Sequence, residues 1–301
     1  MTSPAQHDLE LAAAALRASG EYRVLERFRP PSRYVDDDGC VKNVALAIDV
    51  ETTGLDPQRD AIIQLCAIPF QYCPQTGRVF AIEAPTMFFE DPGRPIPPEI
   101  VALTGITQAM VSGKRIDESA VAALAATASL VIAHNAAFDR RFVERRCPVF
   151  RDKPWACTQQ ELPWRQSGYA SAGLESLMDK RFDLFYAAHS AEADCLALIH
   201  LLARALPNGD LPLFLLLQSA RRRSVRVWAV DAPFDQKGAL KARKYRWNPG
   251  EDGRPKAWYS DIPEERLVAE CAWLKESVYG GRDNAWKTQP IDAKSRYSER
   301  G

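Results

Sequence analysis

The sequence predicts an α/β protein, a mixed sheet flanked by helices, followed by a small α+β module. Three observations carry that reading. An apolar run, Val44-Ala45-Leu46-Ala47-Ile48, ends in two carboxylates, Asp49 and Glu51, and gives way to the turn Thr52-Thr53-Gly54. Strand-like and helix-like segments then follow one another as far as Ala205. Beyond Arg221 the composition turns basic and aromatic, and the elements become short.

Taken in order, Asp8 to Ser19 is an Ala/Leu-rich amphipathic helix that Gly20 can cap, and Tyr22 to Phe28 alternates like a strand. We read both as a docking extension. Pro30 to Gly39, with Asp36-Asp37-Asp38, has the composition of a linker. Val44 to Glu51 is the first core strand. Ile62 to Phe70 is the second, joined through Pro74-Gln75-Thr76-Gly77 to a third at Val79 to Glu83. Ile96-Pro97-Pro98-Glu99 opens a helix, Glu118 to Ala128 forms another, and Leu130-Val131-Ile132 is a short strand. Arg140 to Arg145 reads as a helix with Asn135 as a plausible cap, and a further helix starts near Ser190.

Residues two apart on a strand point to the same face, so Asp49 and Glu51 can offer oxygens to one cation. Without a cation they would repel each other. A solvated strand end would also account for such a pair. Asp139 sits where the strand at Leu130 passes into a helix, the end of an open α/β sheet at which ligands gather. Taken alone, it is equally a first-turn acid favoured by the helix dipole. His189 and Asp194 open the last of these helices, and by themselves fit an ordinary capped amphipathic helix.

Together these groups resemble the DEDDh branch of the 3′→5′ exonucleases, the DnaQ-like family of RNase T and polymerase-proofreading subunits such as DNA polymerase III epsilon. The first family motif is matched by Asp49, Glu51 and Thr52-Thr53-Gly54, the second by His134-Asn135 with Phe138-Asp139, and the third by His189 and Asp194. Leu103-Thr104-Gly105-Ile106-Thr107 matches a further Thr-Gly-Ile feature. The resemblance spans roughly Val44 to Ala205 and implies an RNase H-like fold. It implies a catalytic set of Asp49, Glu51, Asp139, His189 and Asp194, in which the four acids hold two Mg²⁺ ions, with Mn²⁺ as a substitute. Asp49, Glu51 and Asp194 would hold the ion that activates water; Asp49 would bridge to the second, which Asp139 holds. His189 would take the proton, a task suited to a side chain whose ordinary pKa is about 6.5. Thr52, Thr53 and Leu55 would line the terminal nucleotide, with Ile106 and Phe138 against its base or sugar. No catalytic role carries over to His134.

Phosphodiester cleavage needs an activated water, a neutralised phosphate and a stabilised leaving oxygen, and two divalent ions about 4 Å apart can supply all three. Carboxylate oxygens suit hard cations such as Mg²⁺. The expected substrate is the 3′ end of single-stranded nucleic acid, DNA favoured over RNA, and a DNA polymerase or a replication or repair protein is a candidate partner. RNA 3′-trimming, as in RNase T, is the alternative enzyme reading. A catalytically inactive binding module is disfavoured by the intact acid set. A haloacid-dehalogenase-like phosphatase would leave Asp139 and Asp194 unexplained.

With 301 residues, 46% hydrophobic and 26% charged, the chain can bury a large core. The most apolar stretches, Ala120 to Ala133 and Leu211 to Leu217, are too short to span a bilayer, so no membrane association is expected. The start of the chain lacks a signal-peptide pattern, and the seven scattered cysteines suggest neither a disulfide framework nor a zinc site. A cytoplasmic location is therefore expected. Formal net charge is zero, so any attraction for nucleic acid must be local.

From Arg221 to Ser260 eleven Lys or Arg face four acids, Asp231, Asp235, Glu251 and Asp252, with Trp228, Phe234, Tyr245, Trp247, Trp258 and Tyr259 interleaved. Val225 to Val230, Tyr245 to Trp247 and Ala257 to Tyr259 read as strands, the last two around the turn at 248–253. Lys237 to Lys244 and Pro263 to Lys275 read as helices. Basic and aromatic side chains together suit a single-stranded nucleic acid, although most of the tryptophans would equally serve as the module's own core. The expected organisation is an extension at 1–40, the exonuclease domain at 41–210, the basic β-α-β-β-α module at 221–279 and a disordered tail at 280–301.

Overall fold

A computed structural model describes residues 4–251 and 253–299, with side chains from residue 7 onward. Its elements in chain order are α1 (Pro4–Ser19), β1 (Glu26–Arg27), β2 (Asn43–Thr52), β3 (Ile62–Tyr72), β4 (Val79–Ile82) and β5 (Thr86–Phe89). Then come α2 (Pro98–Thr104), α3 (Gln108–Val111), α4 (Glu118–Thr127), β6 (Leu130–Ala133), α5 (Ala136–Arg146), β7 (Trp155–Cys157), α6 (Thr158–Glu161), α7 (Leu174–Phe182), β8 (Leu184–Phe185), α8 (Ala191–Ala203) and α9 (Pro212–Arg221). The remainder is β9 (Ser224–Val230), α10 (Lys237–Ala242), β10 (Arg246–Asn248), β11 (Ala257–Pro263), α11 (Leu267–Trp273) and β12 (Lys287–Ile291).

The main sheet runs β4-β3-β2-β6-β7, and β5 also pairs with β3. β3 is antiparallel to β2, whereas β6 and β7 run parallel to it, which is the mixed strand order of an RNase H-like sheet. Strand alternation decides what each face of β2 meets. Leu46, Ile48 and Val50 point into a core with Val121 and Ala125 of α4, Phe142 and Val143 of α5, and Trp155. Ala45 and Ala47 point the other way, into a core with Leu177 of α7, Ala191, Cys195 and Leu198 of α8, and Leu213 of α9. The two alanines on that second face leave α8 room to pack close to the strand, and the odd-numbered positions that follow them are Asp49 and Glu51.

Gly77 makes the β3–β4 hairpin possible. Its φ is +73°, and a Cβ there would lie 2.3 Å from the backbone nitrogen of Phe214. β5, which the sequence pattern does not announce, is half-buried throughout and lacks the alternation that would have marked it.

The segment Tyr22 to Phe28 forms only the two-residue strand β1, parallel to β8, because its alternating side chains find no longer edge to pair with. The extension does dock. Phe28 and Tyr34 pack on the buried ring of His200 in α8, whose Nδ1 lies 2.9 Å from the Tyr34 hydroxyl.

The second sheet is antiparallel in the order β10-β11-β9-β12. Its fourth strand comes from residues whose composition predicts a disordered tail, and that expectation is corrected here. Polar sequence did not prevent order, because backbone and charge contacts of 287–299 join the burial of Ile291 and Ala293 and the packing of Tyr297 on the first core. β12 pairs along β9, and the turn after it is bound to the first sheet. Trp155 N–H donates to the Ala293 carbonyl at 2.7 Å. The fully buried guanidinium of Arg140 donates to the carbonyls of Ala293, Lys294 and Arg296 and to Glu144. Ser298 donates to Glu144 at 2.6 Å, and Arg296 pairs with Glu161 at 2.8 Å. A buried guanidinium without acceptors costs several kcal/mol, so this turn and α5 depend on each other. Asp252, Arg300 and Gly301, which belong to the expected turn and tail, lie outside the described residues. Among the described residues no helix is long and apolar enough to cross a membrane.

Candidate active site

The acidic face of β2 meets the first turn of α8. Asp194 follows Ala191 by three residues and precedes Leu198 by four, so it shares their inward-facing stripe. Ligand-capable oxygens of Asp49, Glu51 and Asp194 all lie within 4.8 Å of one another. Asp139 arrives from the opposite face, in the first turn of α5, and its Oδ1 accepts a hydrogen bond from Val50 N–H at 3.1 Å. That bond ties α5 to the strand between the two β2 acids. All four carboxylates, with His189, line one cleft of about 400 Å³.

Burial pushes all four carboxyls above their ordinary range. For Asp49 the neighbouring Asp139, Asp194 and Glu51 charges add to it. Glu51 is raised to about 8, by burial first and by Asp194 and Asp139 next. Asp139 is raised to about 7 by burial, against the hydrogen bond from Val50. Asp194 is raised by burial, against the hydroxyl of Tyr186, which donates to its Oδ1 at 2.7 Å. No Lys or Arg lines the cleft among the described residues. Four acids, Glu51 and Asp139 buried and Asp49 and Asp194 half-buried, facing each other without a basic side chain form an oxygen-only donor set suited to hard divalent cations.

This arrangement has a pH signature. In the folded chain Glu51 and Asp139 hold protons that the unfolded chain releases near about 4. The stability this supplies is complete below that value and is lost as pH rises through about 7 and about 8. Thermal unfolding in EDTA is therefore expected to show a falling Tm from about pH 6.5 to 8.5. Mg²⁺ should raise Tm more at the upper end, where no protons compete for the carboxylates. A Tm gain independent of pH would contradict the reading of these acids as cation ligands.

His189 stands exposed just before α8 with a φ of +61°, a left-handed conformation uncommon for a non-glycine residue. His134, by contrast, is buried and held at both nitrogens: Nε2 donates to the Ala172 carbonyl and Nδ1 accepts from Thr158, each at 2.8 Å. Burial lowers its pKa to about 4, so it is a neutral brace at the cleft floor. Asn135 occupies the N-cap position of α5 but makes no capping bond, and lines the cleft instead.

Of the five expected nucleotide-contacting residues, Thr52, Leu55 and Phe138 line the cleft, and Leu55 is largely exposed. Thr53 and Ile106 do not. The Thr53 hydroxyl braces the turn, accepting from Arg94 at 2.8 Å and donating to Asp60 at 3.2 Å. Ile106 is packed with Ile63, Ile96 and Val111 because Gly105, at φ +71°, ends α2 and folds the chain inward. Gly54 leaves room for Asp60: a Cβ there would lie 2.5 Å from its Oδ2, so the carboxylate that Thr53 and Arg94 hold would have to shift. Sequence reasoning missed Tyr186, which has no fixed spacing to Asp194, and missed Ile100 and Leu103, which form a wall of the cleft. The only sequence signal for the latter was a proline-led helix with apolar residues on a face that proves open to solvent.

Residues 46–202, just over half of the chain, match the family described as RNase T exonuclease. The PolC-type DNA polymerase III of Thermotoga maritima is 36% identical over 117 residues, covering 38% of this chain and 8% of that protein. A DNA polymerase III subunit epsilon-like protein of Rhodobacter capsulatus is 36% identical over 110 residues, covering 34% of this chain and 14% of that one. The alignments thus span a small part of those longer relatives. Among solved structures, exonuclease X in complex with 5′-overhanging duplex DNA aligns over 59% of this chain and 92% of that chain, with 24% identity and a TM-score of 0.39.

Proposed function

Since this chain belongs to the RNase T exonuclease family, we propose that it is a metal-dependent 3′→5′ exonuclease that hydrolyses phosphodiester bonds from the 3′ end of single-stranded DNA. The observation that carries the reading is the convergence of Asp49, Glu51, Asp139 and Asp194, four acids from three elements, in one cleft free of basic side chains among the described residues. Asp49, Glu51 and Asp194 would hold one Mg²⁺, with Asp49 shared and Asp139 holding a second; Mn²⁺ would substitute. When bound, such ions supply the positive charge that activates a water and stabilises the negative transition state.

The chain's own groups account for the rest. His189, exposed at the cleft, receives the proton of the attacking water. Tyr186 fixes the rotamer of Asp194 through its hydroxyl. The apolar side chains of Leu55, Leu103 and Phe138, with Thr52, offer a wall for the terminal nucleoside. An open cleft with Leu55 and Leu103 exposed at its rim supports the entry of a strand end.

DNA is favoured because the relatives named above are DNA polymerase III proteins, and a DNA polymerase or repair protein is the proposed partner. The test is a parallel digestion in Mg²⁺ of 5′-labelled single-stranded DNA, single-stranded RNA and a duplex with a mismatched 3′ end. The expected order is single-stranded DNA and the mismatched end ahead of RNA. Faster trimming of RNA would replace the DNA assignment with the RNase T-like alternative.

A further inference from the structure

The second sheet carries an aromatic and basic groove that its own folding does not explain. The core of this part of the chain is filled by Val225, Val227, Leu240, Tyr245, Leu274 and Tyr279, with Trp258 and Trp273 packed against them. Two aromatic side chains instead stand open to solvent. Phe234 is 85% exposed and Trp247 is 49% exposed, and neither belongs to that core. Leaving rings of this size in water forgoes the stabilisation their burial would bring.

They border a cavity of about 660 Å³, within the size range of ligand clefts. Trp247 lies on the edge strand β10, across from Trp258 on β11, with ring centroids 5.6 Å apart and planes at 60°. The tilted pair packs together on one face of the sheet, and both rings line the groove. Cations stand beside the faces: Lys237 lies 5.5 Å from the Phe234 centroid, and Lys241 lies 6.0 Å from that of Trp258. Both lysines come from α10, one turn apart, on the side that meets the groove. Neither is paired with a carboxylate among the described residues, whereas the Arg246 guanidinium belongs to the other face of the sheet, 4.8 Å from the Tyr259 ring and 3.7 Å from Asp261.

We propose that this groove binds a single strand of nucleic acid, its bases against Trp247, Trp258 and Phe234 and its phosphates on Lys237 and Lys241. Charge complementarity selects that occupant: an apolar peptide would find unpaired ammonium groups at the rim, whereas a strand presents planar bases and anionic phosphates at regular spacing. The inference rests on the exonuclease reading for its biological use, since a strand held here would be retained between cuts. It does not rest on that reading for its test.

Arg140 takes acceptors from residues 293–296, so the test keeps the full chain and uses point substitutions. Affinity for a labelled oligothymidylate of about twenty nucleotides would be followed by fluorescence anisotropy in Ca²⁺, in the Asp49→Ala background, across a range of salt. Trp247→Ala should weaken binding by about fivefold or more, the loss expected for one stacked base. The Lys237→Glu/Lys241→Glu pair, on exposed positions that cannot disturb the core, should lower the slope of log affinity against log salt by about 0.7 for each phosphate no longer neutralised. In the otherwise wild-type chain neither change should alter the rate on a trinucleotide, too short to reach a second site. Unchanged affinity and slope in both variants would overturn the proposal, as would a matching loss on the trinucleotide. A wild-type chain that binds the oligonucleotide here but cleaves nothing would overturn the exonuclease reading alone.

Discussion

Asp49→Ala is expected to lower the rate of 3′-end hydrolysis by on the order of a thousandfold or more, equivalent to several kcal/mol of transition-state stabilisation. Asp49 sits at the centre of the acid cluster, flanked by Glu51 on its own strand face and Asp194 across from it on α8. Its charge is crowded by all three other acids. Removing it takes away the carboxylate placed to serve both ions. The same crowding makes a second outcome expected: in EDTA the variant should be no less stable than the parent, because a half-buried, crowded carboxyl has been deleted. Full fold and lost activity together separate a role at the reacting centre from a packing role. Near wild-type hydrolysis by the alanine variant would show that the metal assignment is wrong.

Replacing His189 is expected to cost about a hundred- to ten-thousandfold in turnover while leaving Mg²⁺-dependent stabilisation intact, the range for loss of a positioned base. Alanine alone is an imperfect probe at this position. The backbone at φ +61° penalises a β-carbon without a compensating local hydrogen bond, by about 1–2 kcal/mol. His189→Asn, which tolerates the left-handed region, is the control. Both variants should show the same loss of turnover and the same gain in Tm on adding Mg²⁺. Near wild-type turnover in the asparagine variant would mean that His189 serves only as the turn before α8.

Much of the site could be read from the chain because its chemistry is local in sequence. Asp49 and Glu51 are fixed on one face by strand periodicity, and Asp139 and Asp194 each follow a recognisable helix start. What brings them together is less local. The alternation that places Ala45 and Ala47 under α8 decides which face the acids share, and it can be recovered only once α8 is known to pack there. Motif adjacency sets Thr53 and Ile106 near the nucleotide; in the fold the Thr53 hydroxyl is engaged with Asp60 and Ile106 packs on Ile63, contacts that lie outside the motif. The hydroxyl of Tyr186 on Asp194, and the acceptors that residues 293–296 offer Arg140, arise from tertiary packing and follow no sequence pattern. For the tail, polarity suggested disorder; backbone pairing along β9 and a buried guanidinium supplied the order. Of the tryptophans, Trp258 and Trp273 joined the core as their size suggests, while Trp247 was left at an edge.

Whether the acid cluster hydrolyses nucleic acid from the 3′ end with divalent cations can be decided by one product analysis. A single-stranded DNA carrying a 5′ label is incubated with the wild-type chain in Mg²⁺, in EDTA, and in EDTA followed by excess Mg²⁺. The expected products are a ladder that shortens one nucleotide at a time with the label retained, and released mononucleotides, with no cleavage in EDTA and recovery on adding Mg²⁺. Cleavage that persists in EDTA, or that releases the 5′ label first, would contradict the assignment.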